Sequence, residues 1–259
     1  MIFSLIAESK TMSECLRSIT PEEFVAHRPV FENVADAIME GLRDMSASEI
    51  AEAVGISDSL AARACSMIYD FPNKLSGEEA ITAYTGVVFK AFDYGSLSVS
   101  DREWSADKIG IVSSLYGLLR PSDFVKPYRL DFTTRLAPGG RPFYSYWRDR
   151  LTDYLLGNIH AGSISTILDL MPADAAKCFD WKRITQLAKV WKVDFKEITE
   201  GGALRTPRAN RLKTLRGLLL RYIVSHRIES VDQLLSIESD EFMPDRDADL
   251  PDSTIRLLV

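Results

Sequence analysis

Residues 115–129 carry several side chains that could bind an anion. The segment reads Leu-Tyr-Gly-Leu-Leu-Arg-Pro-Ser-Asp-Phe-Val-Lys-Pro-Tyr-Arg, and its donors include Tyr116, Arg120, Tyr128 and Arg129. Arginine has a planar fork that matches phosphate or carboxylate, and a tyrosine hydroxyl is an uncharged donor that tolerates partial burial. One glycine and two prolines restrict the backbone, so we predict a rigid row of donors. The alternative is a surface strand whose arginines pair with neighbouring aspartates.

Residues 205–227 form a second basic segment, with seven arginines and lysines and no acidic residue. Apolar residues recur there at helical spacing, which predicts a helix over 209–227 with Lys213 and Arg216 away from its apolar stripe. We expect these side chains to converge with others on one anion-binding cleft, because the blocks that resemble a known family, given below, fall at strand ends and helix starts. The predicted cleft residues are Lys10, Tyr116, Arg120, Tyr128, Arg129, Lys177, Lys213 and Arg216. A solvated basic helix face is the alternative.

The tight turn Gly55-Ile56-Ser57 is a separate candidate site. Ser46 and Glu49 form a capping-box pattern that opens a short helix before the turn, and Ser57 can cap a second helix after it. A tight turn before a helix leaves backbone N–H groups unpaired and partly positive, which suits one phosphate without reading base sequence. We therefore predict that these three residues contact one phosphate; a DNA-binding hairpin is what the family resemblance given below implies for them. An ordinary helical hairpin of the core is the alternative.

The overall composition excludes several classes of function. The chain is 46% hydrophobic and 26% charged with a net charge of −6, which is typical of a globular protein and argues against one that coats nucleic acid. No apolar run is long enough to cross a bilayer, so we expect a cytoplasmic protein without a membrane partner. The three cysteines and three histidines lack the spacing of a disulfide framework or a zinc site. We predict no metal, no cofactor and no catalytic residue, and lean towards a protein without enzymatic activity.

Residues 238–252 reverse the sign of the charge, with seven acidic side chains against one arginine. This acidic tail could shield a basic groove by mimicking an anion, or it could simply be solvated. Asp245, Asp247 and Asp249 offer hard oxygen ligands, but their spacing lacks the glycine and the distal glutamate of a calcium loop. An iron site in the tail is therefore the weakest of our hypotheses.

Alternating strands and helices must position the candidate residues. Apolar periodicity and turn signals predict strands at 1–6, 109–119, 164–170 and 191–198 and helices at 31–42, 58–69, 145–156 and 209–227. Capping-box patterns predict that two further helices open at Ser76 and at Ser100. Strands interleaved with helices favour an α/β or mixed α+β sheet protein. Because no repeat or long linker appears, we predict one domain over 1–259 with a helical insertion at about 30–95.

Several blocks of the sequence resemble one known family. The run Leu-Tyr-Gly-Leu-Leu-Arg-Pro-Ser-Asp at 115–123, followed by Pro-Tyr-Arg-Leu at 127–130, is similar to the hallmark of the YaaA-type peroxide stress-resistance proteins of bacteria. Further blocks agree in the same order along the chain, at residues 9–11, 56–61, 84–89, 144–147 and 213–217. Blocks in register over nearly the whole chain are far more specific than any one of them.

The resemblance implies a mixed α/β fold with helices around a curved sheet and a helix-hairpin-helix element. It also implies sequence-independent DNA binding and a role in limiting iron-driven damage under hydrogen peroxide. The alternative that we keep is an enzyme acting on a phosphorylated or nucleotide-like small molecule in the basic cleft. Lysine could act there as an electrophile or base if desolvation lowered its pKa.

The chain also departs from the pattern of that family. Where the family has Ser-Pro-Ala before the lysine, this chain has Ala7-Glu8-Ser9, and where the family has Gly-Asp it has Gly86-Val87. In the block at 169–177 the lysine is retained as Lys177, but the family's asparagine, serine, glutamate and tyrosine are replaced. If those polar groups line a pocket in the family, the pocket of this member is altered.

Overall fold

The computed structural model describes residues 2–246, 248 and 250–259. Within those residues the helices are α1 (Pro21–Ala26), α2 (Glu32–Gly41), α3 (Ala47–Val54), α4 (Asp58–Asp70), α5 (Ala80–Ala83), α6 (Val87–Phe92), α7 (Val99–Ser105), α8 (Phe143–His160), α9 (Ala173–Ala176), α10 (Trp181–Ile184), α11 (Ala209–Ser225) and α12 (Val231–Leu234). The strands are β1 (Ile2–Ala7), β2 (Arg17–Ser18), β3 (Ser76–Glu79), β4 (Ile109–Ser113), β5 (Gly117–Leu119), β6 (Phe124–Val125), β7 (Thr166–Asp169), β8 (Lys189–Ile198), β9 (Leu204–Arg205), β10 (Met243–Pro244) and β11 (Thr254–Leu258). None of the described helices is both long enough and apolar enough to span a membrane.

The main sheet has eight described strands. Seven of them follow the order β10-β11-β8-β7-β1-β4-β5, and β9 pairs with β8 beside this path. The pairs from β11 through β8, β7 and β1 to β4 are parallel, whereas the pairs at the edges are antiparallel. Helices flank this mixed sheet, which confirms the α/β class expected from the sequence.

Strand β1 lies at the centre of the parallel part of the sheet. All six of its residues are buried, and it is paired on one side with β4 and on the other with β7. Strands buried on both faces read as continuous apolar runs, which is why the first residues of the chain are predicted as a strand. Because the three strands are parallel, the turns after β1, β4 and β7 meet at one edge of the sheet.

The region at 30–95 contains α2 to α6 but also one strand, β3. That strand pairs with β2 and β6 in a second, antiparallel sheet. The sequence prediction that Ser76 caps a helix is wrong, because tertiary pairing with β6 extends Ser76–Glu79 and the helix begins only at Ala80. Similarly, Ser98 rather than Ser100 caps α7, since the oxygen of Ser98 accepts the N–H of Asp101.

The predicted strand at 109–119 is two antiparallel strands, β4 and β5. The chain reverses between them and enters β5 at Gly117, whose φ of +73° lies in the left-handed region that favours glycine. A side chain at Gly117 would also meet the indole of Trp147, since a Cβ built there lies 2.8 Å from Cζ3. The glycine was noticed in the sequence, but its turn depends on the packing of α8 against β5.

Helix α11 packs closely against α6. The close approach occurs at Gly217, where an added Cβ would lie 2.2 Å from the carbonyl oxygen of Val88 and 2.7 Å from Cβ of Ala91. Backbone and a short side chain cannot move aside as a flexible side chain could. The glycine therefore sets the distance between the two helices that border the site described below.

We expect Gly217→Ala to lower the free energy of unfolding by about 1–3 kcal/mol, because the methyl group would overpack the contact between α6 and α11. Gly157→Ala is the matched control, since Gly157 also lies inside a helix but faces open space. It should be neutral or should stabilise the protein by up to ~1 kcal/mol. Urea unfolding of both variants measures the two effects, and equal stability of the two would contradict the packing role.

Candidate anion-binding cleft

A cavity of about 550 Å³ lies where the turn after β1 meets α6 and α11. We call it the glutamate cavity, because Glu8, the first residue after β1, forms part of its wall. Residues after β7 and the turn at 131–133 complete it. Crevices at the carboxyl ends of parallel strands are where open α/β sheets bind ligands.

Three cations line the glutamate cavity: Lys10, Lys213 and Arg216. The ammonium group of Lys10 is neutralised, since Nζ lies 2.9 Å from Oδ2 of Asp131. Lys213 is exposed and Arg216 is half-buried, and among the described residues neither has a carboxylate within ion-pair distance. A half-buried guanidinium without a counter-ion is costly, so its place in a cavity wall suits a bound anion.

Arg216 also shows the electrostatic effect of its position. Burial lowers the pKa of its guanidinium, and the nearby carboxylate of Asp169 opposes that change. Asp169 itself ends β7 and is almost fully buried, and burial raises its pKa even though its Oδ1 accepts the N–H of Met171. Arg216 is therefore only partly compensated by the charge of Asp169.

Glu8 is one of three acidic residues that line the glutamate cavity, together with Asp131 and Asp174. Its Oε2 accepts hydrogen bonds from the backbone N–H of Ser114, at 2.8 Å, and from the hydroxyl of Tyr128. Burial raises the pKa of Glu8 to about 7, and the hydrogen bonds from Tyr128 and Ser114 limit the rise. Glu8 therefore has both protonation states available near neutral pH, as a group that exchanges a proton with a ligand requires.

A cluster of buried hydroxyl groups holds Glu8 in place. The hydroxyl of Tyr128 lies 2.7 Å from Oγ of Ser113 and 2.7 Å from the hydroxyl of Tyr84. Burial, together with the charge of Glu8, raises the pKa of both tyrosines, so these phenols stay protonated. The cluster links the ends of β1 and β4 to α5 and to the segment at 127–130.

A second cavity, of about 580 Å³, adjoins the first and shares Leu170 and Arg216 with it. We call it the aromatic cavity, because rings from α8, α10, β8 and the segment between α9 and α10 form much of its wall. The rings and charged groups in the wall are Tyr144, Phe179, Trp181, Phe195, Arg148, Asp169, Lys177, Lys192 and Arg216. The two cavities together form the candidate cleft.

The structure divides the eight predicted cleft residues into groups. Lys10, Lys213 and Arg216 line the glutamate cavity, and Lys177 lines the aromatic cavity, where its Nζ lies 3.4 Å from a carboxylate oxygen of Asp174. Arg129 is half-buried beside them and donates to the backbone oxygen of Lys10, at 2.6 Å.

Like Arg129, the other three predicted residues line neither cavity. Tyr116 is buried, and its hydroxyl accepts the backbone N–H of Lys126, at 3.0 Å. Tyr128 is buried in the hydroxyl cluster. Arg120 donates through Nε to the buried carboxylate of Asp123, at 2.7 Å. For Arg120 the structure therefore shows the alternative, in which arginines of residues 115–129 pair with neighbouring aspartates.

The hairpin between α3 and α4 has the expected turn. Gly55 adopts φ +70° and ψ +44° and closes α3, with its N–H donating to Ala51. Ser57 is extended and precedes α4, but its side chain makes no capping hydrogen bond. The backbone geometry thus matches the prediction, while a helix-hairpin-helix element that binds DNA stays a prediction.

Three features of this cleft were not predicted from the sequence. Glu8 was seen only as a departure from the family pattern, although the first charged residue after a buried parallel strand is a signal for a site. Lys192 was not proposed, and its register opposite Asp169 on the adjacent strand is what brings it to the aromatic cavity. The aromatic wall joins residues distant in sequence, including Tyr144 and Trp181, and no local pattern predicted it.

Among the described residues, no group of three or more His, Cys, Asp or Glu side chains lies close enough together to hold a metal ion. Of the acidic residues considered as iron ligands, Asp247 and Asp249 lie outside the described residues. Asp245 is described, and one of its carboxylate oxygens lies 3.8 Å from a guanidinium nitrogen of Arg256.

The fold and the cleft define a class of protein: a mixed α/β sheet with a basic cleft at the carboxyl ends of its parallel strands. A family model described as peroxide stress protein YaaA matches residues 1–248. A UPF0246 protein of Albidiferax ferrireducens is 31% identical over 233 residues, covering 88% of each chain. A UPF0246 protein of Bacteroides fragilis is 32% identical over 241 residues, covering 92% of this chain and 91% of the relative. The chain therefore belongs to the YaaA family of peroxide stress proteins.

The environment of Glu8 predicts a pH-dependent stability. Because its pKa is about 7 in the native protein against 4.5 ordinarily, the native state holds this proton more tightly than the unfolded chain does. The contribution of Glu8 to the free energy of unfolding therefore falls as pH rises from about 4.5 to about 7. The stability of Glu8→Gln relative to wild type should rise over this window, by up to about 3 kcal/mol.

Asp131→Asn is the contrasting control for this measurement. Burial alone would raise the pKa of Asp131, but hydrogen bonds from Thr133 and Lys10 lower it to about 2. Asp131 therefore stabilises the protein above about pH 4, and that contribution is lost as pH falls towards 2. Chemical unfolding at a series of pH values separates the two cases. A constant difference between Glu8→Gln and wild type from pH 4.5 to 7 would contradict the assignment.

Proposed function

We propose that the protein acts in the bacterial cytoplasm and protects DNA during hydrogen peroxide stress by binding it through its phosphates. The observation that carries the proposal is a set of cations along the cleft with no carboxylate within ion-pair distance among the described residues: Lys192, Lys213 and Arg216. The carboxylate of Asp169 interacts with Lys192 and Arg216 only at longer range. Phosphate contacts of this kind position a nucleic acid backbone without reading its sequence. Membership of the peroxide stress family supports the physiological setting.

The hairpin offers a second contact with the same backbone. Gly55 and Ser57 are exposed, and the backbone N–H groups that follow them open a helix of 13 residues, α4. Unpaired N–H groups at such a position attract a phosphate. The exposed Asp58 and the ion pair of Arg63 with Glu14 limit the positive charge there, so we propose a positioning contact of low affinity.

Binding would also limit iron-driven damage. Ferrous iron associates with the DNA phosphates and reduces peroxide there to hydroxyl radical, so a protein that neutralises phosphates with its own cations displaces bound cations, iron included. No iron ligand in the protein is needed for this action. We propose that protection comes from occupying the phosphates rather than from storing the metal.

A salt titration tests the DNA contact. The affinity of the protein for a short duplex should fall steeply as salt rises, and Lys213→Ala should weaken binding and reduce the slope of log K against log salt by about 1. Lys189→Ala is the matched control, because Lys189 is exposed but lies at the amino end of β8, away from the cleft. Absence of binding at low salt, or equal slopes for the two variants, would contradict the proposal.

The same titration tests the hairpin with two substitutions at Ser57. Aspartate and asparagine are both good helix caps, so neither should disturb α4. Ser57→Asp adds a negative charge where we propose a phosphate and should weaken binding several-fold at low salt, whereas Ser57→Asn should bind like wild type. If both variants bind equally well, the hairpin does not contact DNA.

Cleavage of duplex DNA by ferrous iron and peroxide tests the protective action. Saturating wild-type protein should reduce strand breakage, and Lys213→Ala should protect less at the same protein concentration. The control is a neutral source of hydroxyl radical that does not bind phosphate. If the protein protects DNA equally from ferrous iron with peroxide and from the neutral source, it only shields the DNA, and displacement of iron is contradicted.

The glutamate cavity supports a second candidate function, an enzyme acting on a phosphorylated small molecule. The specific observation is Glu8, a carboxyl with a pKa of about 7 in the same cavity as Lys213 and Arg216. An anionic group held by the two cations would lie beside a residue able to take or give a proton.

A further inference from the structure

Two rings of the aromatic cavity, those of Tyr144 and Trp181, are only half-buried, and Nζ of Lys177 lies 5.4 Å from the centroid of the Tyr144 ring. Phe179 and Phe195 are buried parts of the wall, whereas Tyr144 and Trp181 are half-buried parts of it. The indole of Trp181 is held in place, since its Nε1 donates to the carbonyl of Ala176 at 2.8 Å and its ring lies 5.2 Å from that of Phe179. A fixed and accessible ring is a stacking surface.

The same cavity has more positive than negative charge. Arg148, Lys177, Lys192 and Arg216 line it, against the single carboxylate of Asp169. Arg148 and Lys177 have carboxylates at 3.4 Å, but Lys192 and Arg216 have none within ion-pair distance in the described part of the chain. Stacking surfaces beside spare cations suit a ligand that is both aromatic and anionic.

The size and polar groups of the cavity narrow this ligand class. A volume of about 580 Å³ falls within the usual range for small-molecule sites. The carboxyl of Asp169, at the end of β7, and the hydroxyl of Ser145, at the start of α8, both border the space and can hydrogen-bond the edge of a planar heterocycle. A nucleobase has such an edge, whereas a sugar phosphate has no ring face to stack.

We propose that the aromatic cavity binds the base of a nucleoside phosphate, with its ring against Tyr144 and Trp181 and its phosphate at Arg216 and Lys192. This inference rests on the proposed binding of phosphate at Arg216, and it adds a base subsite to that contact. The ligand is either a free nucleotide or an unpaired nucleotide within a nucleic acid strand. Exposed Lys177 and Lys192 at the wall can contact the phosphates on either side of an unpaired nucleotide.

The first test compares two ligands that differ only in the base. Adenosine monophosphate should bind the full-length protein roughly fivefold to a hundredfold more tightly than ribose 5-phosphate, as measured by calorimetry, because stacking of a base on an aromatic side chain is worth that factor. Arg216→Ala should weaken both ligands by a similar factor, since both use the phosphate contact.

Substitutions at Tyr144 locate the base. Tyr144→Ala should remove most of the preference for the nucleotide, whereas Tyr144→Phe, which keeps the ring, should retain it. Because Tyr144→Ala could disturb α8, thermal unfolding checks that each variant is folded, and Trp181→Phe provides a second variant that keeps a ring but reduces the stacking area. A preference unchanged in Tyr144→Ala and Trp181→Phe would overturn the proposal.

A third measurement distinguishes a free nucleotide from an unpaired nucleotide of a nucleic acid. It compares the affinity of the protein for a nucleic acid with one unpaired adenine and for the same nucleic acid with an abasic residue at that position. Preference for the free nucleotide alone indicates a small-molecule ligand, and preference for the unpaired adenine indicates nucleic acid. Either result supports the base subsite. If the protein binds the phosphate ligands but prefers neither adenosine monophosphate over ribose 5-phosphate nor adenine over the abasic residue, the proposal of a base subsite is wrong and the phosphate contact stands. If no phosphate ligand or DNA binds at all, the proposed function itself fails.

Discussion

The parallel pairing of β1 between β4 and β7 is the constraint on which the cleft depends. All six residues of β1 are buried, so its backbone groups must be paired on both sides, and the register with β4 and β7 meets that requirement. Parallel strands end at the same edge of the sheet, so the turns that follow them lie next to one another. Glu8, Ser114 and Leu170 come together for that reason, although more than fifty residues separate each from the next.

The cations at this edge of the sheet differ in whether they have an ion-pair partner. Lys10 is paired with Asp131, whereas Lys213 and Arg216 have no such partner in the described chain. An ion pair at the rim contributes little to stability, whereas a half-buried arginine without an ion-pair partner lowers stability. The position of Arg216 is therefore better explained by binding of an anion than by stability. Glu8 lines the same cavity as these cations, and the hydrogen bonds that it accepts from Ser114 and Tyr128 offset part of the cost of burying it.

Two of the departures from the family pattern lie in the wall of the glutamate cavity. The family aspartate that follows the glycine of the block at 84–89 is Val87 here, and Glu8 stands where the family has proline. Both positions line the glutamate cavity. In this chain the end of β1 therefore contributes a carboxyl to the cavity wall, and the first residue of α6 contributes an apolar side chain.

The sequence by itself determined the fold class, most helices and buried strands, and the family, because these depend on local periodicity, capping and blocks of residues in fixed order. It also singled out Lys10, Lys177, Lys213 and Arg216, which line the two cavities, while their binding of an anion stays a prediction. Only the tertiary structure decided that Tyr116 and Tyr128 are buried, that Ser76–Glu79 is a strand, and that Glu8 and Lys192 face the cavities. Local pattern does not encode which strands pair or in what register, and pairing decides which side chains meet.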